Sequence, residues 1–325
     1  ILFNRGLLGN VFKETKLVVR KDFLYRSKDK PVYRIIDLNN IQRIDNIRYD
    51  EEMIEISDLK SSQYKEISDK IEKAAKLNIP IFLVGKRGTG KTTAAYHYHK
   101  KRMEKSSEAD DNKKEFVNIT LSEYSSVADI KSELFGWAKG SFTGADSDFE
   151  GLLGKANGGT LFLDEIHQLP RDLQSALLRP LNDGKYRQNG TSVDKESKFG
   201  LVIATNDFNY KDKLNEDFRD RVERVVIELP ELKDLDEKED IFIYWKTIFT
   251  NNVNRSRLGT NYNFDEYFDE NSQKIIRNFF KRYSFPGNIR DLLKLSDHII
   301  LECVNEDYTG LDKDMIDENL EKTLD

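Results

Sequence analysis

The chain has 325 residues, which suggests about two domains of the usual size of about 100–200 residues. Its 52 Lys and Arg against 58 Asp and Glu give a net charge of −6, which argues against a dedicated nucleic-acid binder because such proteins usually carry a basic excess. Hydrophobic residues make up 38% and aromatic residues 11% of the chain, enough to form a buried core, so global disorder is excluded.

Neither a membrane span nor a secretion signal is predicted. No apolar run approaches the roughly 18 residues that a membrane-spanning helix needs. The apolar start of the chain is followed by a charged residue, Arg5, after only four residues, which is too short for a signal peptide. The sequence does not begin with Met, which indicates a processed chain or a fragment. The single cysteine, Cys303, can form no internal disulfide, which favours a location in the reducing cytoplasm, and its apolar neighbours predict a buried position.

The first 50 residues have a pattern of their own. Two apolar runs, Lys16–Arg20 and Val32–Ile36, flank the turn-rich segment Ser27–Pro31, which predicts a hairpin in a small β-rich module over residues 1–50. A scaffold or docking role is the default hypothesis for this module. The acidic and polar residues 51–62 are predicted to form a linker.

Residues 63–230 show short apolar strands that alternate with helical patterns. Strands that are apolar along their whole length predict an α/β fold with a parallel sheet covered by helices. The predicted strands are Ile81–Val84, Phe116–Ile119, Leu161–Leu163, Leu201–Ala204 and Val225–Ile227. The polar stretch Met103–Glu115 has no apolar period and predicts a mobile surface loop. After Pro230 only helical patterns remain, so residues 231–325 are predicted to form a helical subdomain that ends in an acidic tail.

A glycine-rich segment follows the first predicted strand. Residues 85–92 match the pattern G-x-x-x-x-G-K-[ST] between an apolar strand and a helical run. Glycines let backbone N–H groups surround phosphates, and a helix N-terminus favours negative charge. Lys91 is expected to reach the β- and γ-phosphates of ATP, and the Thr92 hydroxyl is expected to ligate Mg²⁺. The predicted nucleotide-binding residues of this segment are Gly85, Gly88, Thr89, Gly90, Lys91, Thr92 and Thr93.

Two adjacent carboxylates end the third predicted strand. Asp164 and Glu165 follow the apolar run Leu161–Leu163. One carboxylate can remain a metal ligand while the other polarises the attacking water, so such a pair suits hydrolysis. We therefore expect Asp164 to bind the nucleotide's Mg²⁺ together with Thr92, and Glu165 to act as the catalytic base.

Several further segments share one pattern. They are Glu133–Gly136, Gly140–Ala145, Ala156–Ile166, Leu177–Gly184, Ala204–Asn206 and Pro286–Leu292. Together they resemble the central AAA+ ATPase domain of bacterial enhancer-binding proteins, the activators of sigma-54 RNA polymerase. The resemblance runs from about Ile67 to His298. Its most specific element is the Gly-Ser-Phe-Thr-Gly-Ala sequence of Gly140–Ala145.

The resemblance implies a three-layer P-loop AAA+ fold with a C-terminal helical lid, in a homo-oligomeric ring, usually a hexamer, with ATP bound between subunits. It implies that Asn206 senses the γ-phosphate and that Arg290 is the lid arginine that reports the nucleotide state. Arg219 and Arg221 fall where the family places arginine fingers that act on a neighbouring subunit. Guanidinium suits that role because its donors spread over the charge of the transferring phosphoryl group. The finger segment is shorter than usual, which makes Arg224 a further candidate.

The segment Gly140–Ala145 is interpreted as a loop that contacts a protein client. Its glycines allow sharp bends, and Phe142 offers an aromatic anchor beside Thr143. By resemblance the client is sigma-54 RNA polymerase. The alternative is a buried hairpin tip with Phe142 in the core.

Three positions depart from the family pattern. Thr92 and Thr120 stand where these activators usually carry Glu and Asn, and Ser141 replaces Ala. The family's DNA-reading helix-turn-helix is not expected among the acidic residues that follow Arg290.

The sequence is compatible with two functions. The first is an ATPase that remodels sigma-54 RNA polymerase through its Phe142–Thr143 loop. The second is an AAA+ remodelling or signalling ATPase with another client, such as a bacterial stress or phage-defence component, that does not bind DNA. A nucleotide-dependent switch or scaffold without turnover is disfavoured because Glu165 is present.

Overall fold

A computed structural model describes residues 56–104, 114–143, 145–255, 263–304, 311–312 and 315–316. All of them belong to one structural unit, Glu52–Asp325. The predicted N-terminal β-rich module, most of the polar stretch Met103–Glu115 and most of the acidic tail lie outside the described residues.

The central sheet has five parallel strands. The strands of the described chain are β1 (Ile81–Val84), β2 (Phe116–Thr120), β3 (Thr160–Asp164), β4 (Lys185–Arg187), β5 (Asp194–Glu196), β6 (Gly200–Thr205) and β7 (Val225–Glu228). The order across the central sheet is β2-β3-β6-β1-β7, while β4 and β5 pair as a separate antiparallel hairpin. All five predicted strands are confirmed, and the predicted parallel α/β arrangement is confirmed with them.

The register brings the carboxyl ends of neighbouring strands to one edge of the sheet. Val84 at the end of β1 pairs with Thr205 at the end of β6, and Asp164 at the end of β3 pairs with Thr120. Because the carboxyl ends of parallel strands share an edge, the residues that follow β1, β3 and β6 converge there.

Helices cover both faces of the sheet. Among the described residues they are α1 (Ser62–Lys76), α2 (Lys91–Met103), α3 (Val127–Phe135), α4 (Gly151–Lys155), α5 (Arg171–Asp183), α6 (Glu216–Val222), α7 (Glu239–Arg255), α8 (Phe264–Tyr267), α9 (Glu270–Arg282) and α10 (Ile289–Cys303). Side chains of α1, α2 and the helices after residue 230 form one hydrophobic cluster, and those of α3 to α6 form a second. Two apolar clusters with a sheet between them make three layers.

The side chains of strand β1 lie alternately in the two hydrophobic clusters. Ile81 and Leu83 belong to one cluster, whereas Phe82 and Val84 belong to the other. Successive strand residues point to opposite faces, so a strand with helices on both sides needs apolar side chains at every position.

The described residues after Pro230 form no strand and fold as the helical lid, α7 to α10. The lid is centred on Trp245, which is fully buried and contacts four phenylalanine rings at centroid distances of 5.1 to 5.9 Å. These rings belong to Phe249, Phe264, Phe268 and Phe280. Cys303 at the end of α10 is buried, as predicted.

The residues just before α1 are packed against this lid. Ile56 and Leu59, which fall within the predicted linker, are only 1% and 2% exposed. The buried carboxylate of Asp240 accepts hydrogen bonds from the backbone N–H groups of Lys60 and Ser61, at 2.6 and 2.8 Å. The residues that lead into α1 are therefore hydrogen-bonded to the lid through Asp240 of α7.

Candidate nucleotide-binding and catalytic site

Lys91 is the first residue of α2, and its amino group lies inside the glycine-rich loop. The side chain is 8% exposed, and Nζ donates to the carbonyl oxygens of Gly85 and Lys86 at 2.9 and 3.1 Å. Burial lowers the pKa of Lys91, while the nearby Asp164 and Glu165 carboxylates act in the opposite direction. The loop thus directs a cation toward the two strand-end acids.

Glycine is required at two points of this loop. Gly88 and Gly90 have φ angles of 78° and 89°, in the left-handed region that favours glycine. A Cβ atom at Gly88 would lie 2.3 Å from the carbonyl oxygen of Gly287. The loop therefore touches the lid through its backbone.

Side chains at the start of α2 complete this part of the site. The Thr89 hydroxyl is buried and donates to the carbonyl of Lys86 at 2.9 Å. Thr92 and Thr93 are half-buried in the first turn of α2. Thr89 thus stabilises the loop itself.

Glu165 lies in direct contact with Asn206. Asn206 directly follows β6, and its side-chain amide donates to Glu165 Oε1 at 2.7 Å. Asp164 Oδ1 accepts the Glu165 backbone N–H at 2.8 Å, and Glu165 has a left-handed backbone with φ of 57°. The structure therefore brings together three of the predicted residues, the two acids and the predicted sensor.

A histidine that the sequence reasoning missed completes this cluster. His167 Nδ1 lies 2.9 Å from Thr205 Oγ1 and 3.5 Å from Glu165 Oε2. The signal available in the sequence was a titratable residue two positions after the predicted base. That signal is weak because short turns after strands often carry polar side chains.

The lid holds the glycine-rich loop through Asn288, a second residue that the sequence reasoning missed. Its side chain donates to the Arg87 carbonyl at 3.2 Å and accepts from the Leu232 backbone N–H at 2.9 Å. The backbone N–H of Ile289 donates to the Gly88 carbonyl at 2.9 Å. These bonds place the next residue, Arg290, close enough for its charge to lower the pKa of Lys91.

The residues present fit a magnesium nucleotide. The left-handed glycines shape a backbone cradle for phosphates, and the Lys91 amino group supplies positive charge within it. Among the described residues no group of three or more His, Cys, Asp and Glu side chains could hold a metal ion on its own. Mg²⁺ is usually bound by one or two protein ligands together with substrate phosphates, a role for which Thr92 and Asp164 have suitable oxygens.

The three arginines near the end of α6 have different surroundings. Arg221 and Arg224 are exposed. Arg219 is half-buried, and its Nε is enclosed without a hydrogen-bond partner among the described residues. Two of the candidate fingers therefore face outward, and Arg219 turns toward its own chain.

The Gly140–Ala145 loop is the tip of a hairpin-like excursion between α3 and α4. Trp137 and Phe149 exchange backbone hydrogen bonds at 2.9 Å, and the Gly140 N–H donates to the Ala145 carbonyl at 2.9 Å. Phe142 is 51% exposed, and its ring meets that of Trp137 in a T-shaped arrangement at a centroid distance of 5.7 Å. Thr143 is exposed as well. The alternative with Phe142 buried in the core is wrong.

The short β4–β5 hairpin supports this loop. The Ala138 N–H donates to the Asn189 carbonyl at 3.0 Å, and a Cβ atom at Gly190 would lie 2.2 Å from the Ser141 Cβ. The hairpin was not predicted because its strands are three residues long and mostly charged.

Comparison with known proteins gives a consistent result. Residues 58–228 match the Sigma-54 interaction domain family. The transcriptional regulator VasH of Vibrio cholerae is 34% identical over 240 residues, which cover 72% of this chain and 42% of VasH. The regulatory protein LuxO of Vibrio parahaemolyticus is 32% identical over 272 residues, which cover 82% of this chain and 54% of LuxO. The chain thus spans about half the length of these curated relatives.

Solved structures show the same fold. NtrX from Brucella abortus matches with a TM-score of 0.61 at 22% identity, covering 78% of this chain and 53% of NtrX. Its complex with ATP matches with a TM-score of 0.59 at 21% identity, covering 82% of this chain and 55% of that one. None of the described helices has the length and apolar character needed to cross a membrane.

Proposed function

The chain belongs to the Sigma-54 interaction domain family of AAA+ proteins, and from that premise we propose that it hydrolyses ATP and uses the Gly140–Ala145 loop to remodel sigma-54 RNA polymerase. The contact between Glu165 and Asn206, beside the Lys91 loop, carries the proposal. A carboxylate fixed next to a phosphate cradle can orient a water molecule for attack, which is what hydrolysis requires.

Each residue of the site has a distinct role in this proposal. The backbone between Gly85 and Gly90 binds the phosphates, and Lys91 binds the β- and γ-phosphates. Thr92 and Asp164 would hold one Mg²⁺ ion, which neutralises phosphate charge when bound. Glu165 takes the proton of the attacking water, and Asn206 orients Glu165.

The hydrolytic site is completed by a second copy of the chain. Arg221 in α6 and Arg224 just after this helix are exposed, so they can reach an ATP molecule bound by a neighbouring subunit. Family membership supports an oligomer, and we propose a hexameric ring. A guanidinium group from the neighbour would stabilise the negative charge on the transferring phosphoryl group.

The exposed side chain of Phe142 supports the client contact. An aromatic ring that keeps half of its surface exposed can bury that surface against another protein and so contribute strongly to binding. Asn288 and Ile289 connect the lid to the glycine-rich loop through hydrogen bonds to the carbonyls of Arg87 and Gly88. Changes at the nucleotide therefore alter the arrangement of the two subdomains.

The proposal is tested with Glu165→Gln and Lys91→Ala in ATPase assays and nucleotide-binding titrations. We expect Glu165→Gln to bind ATP with affinity close to that of the unchanged chain while turnover falls about a hundredfold or more, the scale of a lost general base. Lys91→Ala is expected to lose binding and turnover together. Open-promoter formation by sigma-54 RNA polymerase is measured in parallel.

Unchanged turnover in Glu165→Gln would remove that residue from the base role. An active ATPase that leaves sigma-54 RNA polymerase unaffected would contradict the proposed client while retaining the motor.

A further inference from the structure

Glu165 has a restrained position for a residue that must act on water. Its backbone lies in the left-handed region, which is uncommon for residues other than glycine, and its side chain is 17% exposed. Both carboxylate oxygens face polar partners, Oε1 the Asn206 amide at 2.7 Å and Oε2 the His167 imidazole at 3.5 Å. The orientation of this carboxylate is therefore limited on two sides.

The environment of His167 determines what the imidazole can offer. Its side chain is 7% exposed, and Nδ1 lies 2.9 Å from Thr205 Oγ1, which also accepts the Asp207 N–H at 3.1 Å. A lone pair on Nδ1 would face the Glu165 carboxylate and be repelled by it. A proton on Nδ1 can instead be shared between the carboxylate and the hydroxyl, which favours the Nδ1–H form.

Charged groups around His167 shift its pKa in both directions. Burial lowers the pKa of His167 and Lys213 lowers it further, while Glu165, Asp207 and Asp164 act in the opposite direction. The net direction is downward, which favours the neutral ring with a single N–H donor over the imidazolium.

We propose that His167 is a positioning residue for Glu165, whose two carboxylate oxygens are held by the His167 Nδ1–H on one side and the Asn206 amide on the other. This inference rests on the proposed function, because it assigns His167 a role only if Glu165 is the general base. The 3.5 Å separation fits a contact that shortens when substrate is bound, as is common for catalytic hydrogen bonds. His167 touches neither phosphate nor water in this role; it acts through Glu165.

A purely structural role for His167 is the alternative, and the chain contains a matched control for it. His99 is also buried, and its Nδ1 lies 3.0 Å from the hydroxyl of Thr160. His99 is in α2 and packs against the rings of Tyr96 and Phe116, and its partner Thr160 begins β3, whereas Glu165 follows the other end of that strand. Substitution of either histidine removes the same type of His–Thr hydrogen bond from a buried position.

The test compares His167→Ala, His167→Asn and His99→Ala in the full chain, at a temperature where thermal unfolding shows each to be folded. Asn is chosen because its side-chain amide can place a donor near the position of Nδ1. We expect His167→Ala to lower kcat about tenfold with KM for ATP within about twofold, since a small displacement of a general base is costly. His167→Asn is expected to recover kcat to within about threefold of the unchanged chain, and His99→Ala to keep it within about twofold.

A second readout uses Glu165→Gln as the background. If His167 acts through Glu165, then adding His167→Ala to Glu165→Gln lowers single-turnover hydrolysis no further, because the group it orients is already gone. Additive losses in the double variant would overturn the proposal.

The outcomes distinguish the positioning role of His167 from the proposed ATPase function. Loss of turnover in Glu165→Gln with full kcat in His167→Ala would overturn the positioning role and leave the ATPase function standing. Equal losses in His167→Ala and His99→Ala would assign both histidines a structural role only. Full turnover in Glu165→Gln would overturn the proposed base, and with it the role of His167.

Discussion

The glycine-rich loop and the Gly140–Ala145 loop both turn on a left-handed glycine, yet their surroundings are opposite. Gly88 and Gly140 have φ angles of 78° and 77°. A Cβ atom at Gly88 would meet the Gly287 carbonyl at 2.3 Å, whereas one at Gly140 would have no described atom within 4 Å. The same backbone conformation is therefore closely packed at Gly88, whereas at Gly140 there is free space where a side chain would start.

This difference fits the two roles that we propose for the loops. The phosphate loop is held by its own helix, by β6 and by the lid, through Lys91, Gly85 and Asn288. The other loop rests on the β4–β5 hairpin by one side and presents Phe142 on the other. A site that must align phosphate and carboxylate benefits from fixed geometry, whereas a contact loop needs an accessible surface.

The largest expected effect comes from Arg221, which would extend the enclosed site into a neighbouring subunit. Arg221→Ala is expected to lower ATP turnover about a hundredfold or more, as for loss of an arginine finger. Arg219→Ala is the matched control, since Arg219 turns inward on the same helix, and its turnover should stay within about tenfold of the unchanged chain.

Mixing experiments locate the site of action. Subunits with Arg221→Ala are mixed with subunits carrying Lys91→Ala, each inactive alone. If Arg221 acts on the neighbour, the mixture regains ATPase activity, because an intact ATP site then meets an intact Arg221. A mixture that stays inactive would contradict a role in trans.

A smaller effect is expected from the two glycines, which test the comparison directly. Gly88→Ala should raise KM for ATP at least about tenfold, because the new methyl group collides with the lid backbone and adds strain to a left-handed residue. Gly140→Ala meets no such obstacle and should cost only about 1 kcal/mol of unfolding free energy, with KM unchanged. Nucleotide titrations and thermal unfolding measure both effects. Equal changes in KM would show that the two loops are not distinct in this respect.

The smallest effect on ATP turnover is expected from Phe142→Ala. Its ring lies outside the nucleotide site, so ATPase activity should remain within about twofold while open-promoter formation by sigma-54 RNA polymerase is lost. Leu301→Ala is a suitable control, because Leu301 is 70% exposed on the lid helix α10. Retention of polymerase activation by Phe142→Ala would reject the contact role of this side chain.

Prediction from sequence worked best where the signal is local. The five parallel strands were identified because each is a short apolar run, and the approach of Glu165 to Asn206 agrees with the convergence of strand ends. The β4–β5 hairpin was missed because its strands are short and charged, so they carry no apolar alternation. His167 was missed because the hydroxyl that its Nδ1 contacts belongs to Thr205, which lies on another strand.

Residues close together in the chain are enough to specify the order of the strands along the chain, the glycine-rich loop and the pair of strand-end acids. Three other features follow from tertiary packing: which arginines face outward, the exposure of Phe142, and the contact between the lid and the glycine-rich loop. Asn288 donates to a carbonyl 201 residues away. Such a contact depends on how two subdomains pack, and no local pattern of residues specifies that packing.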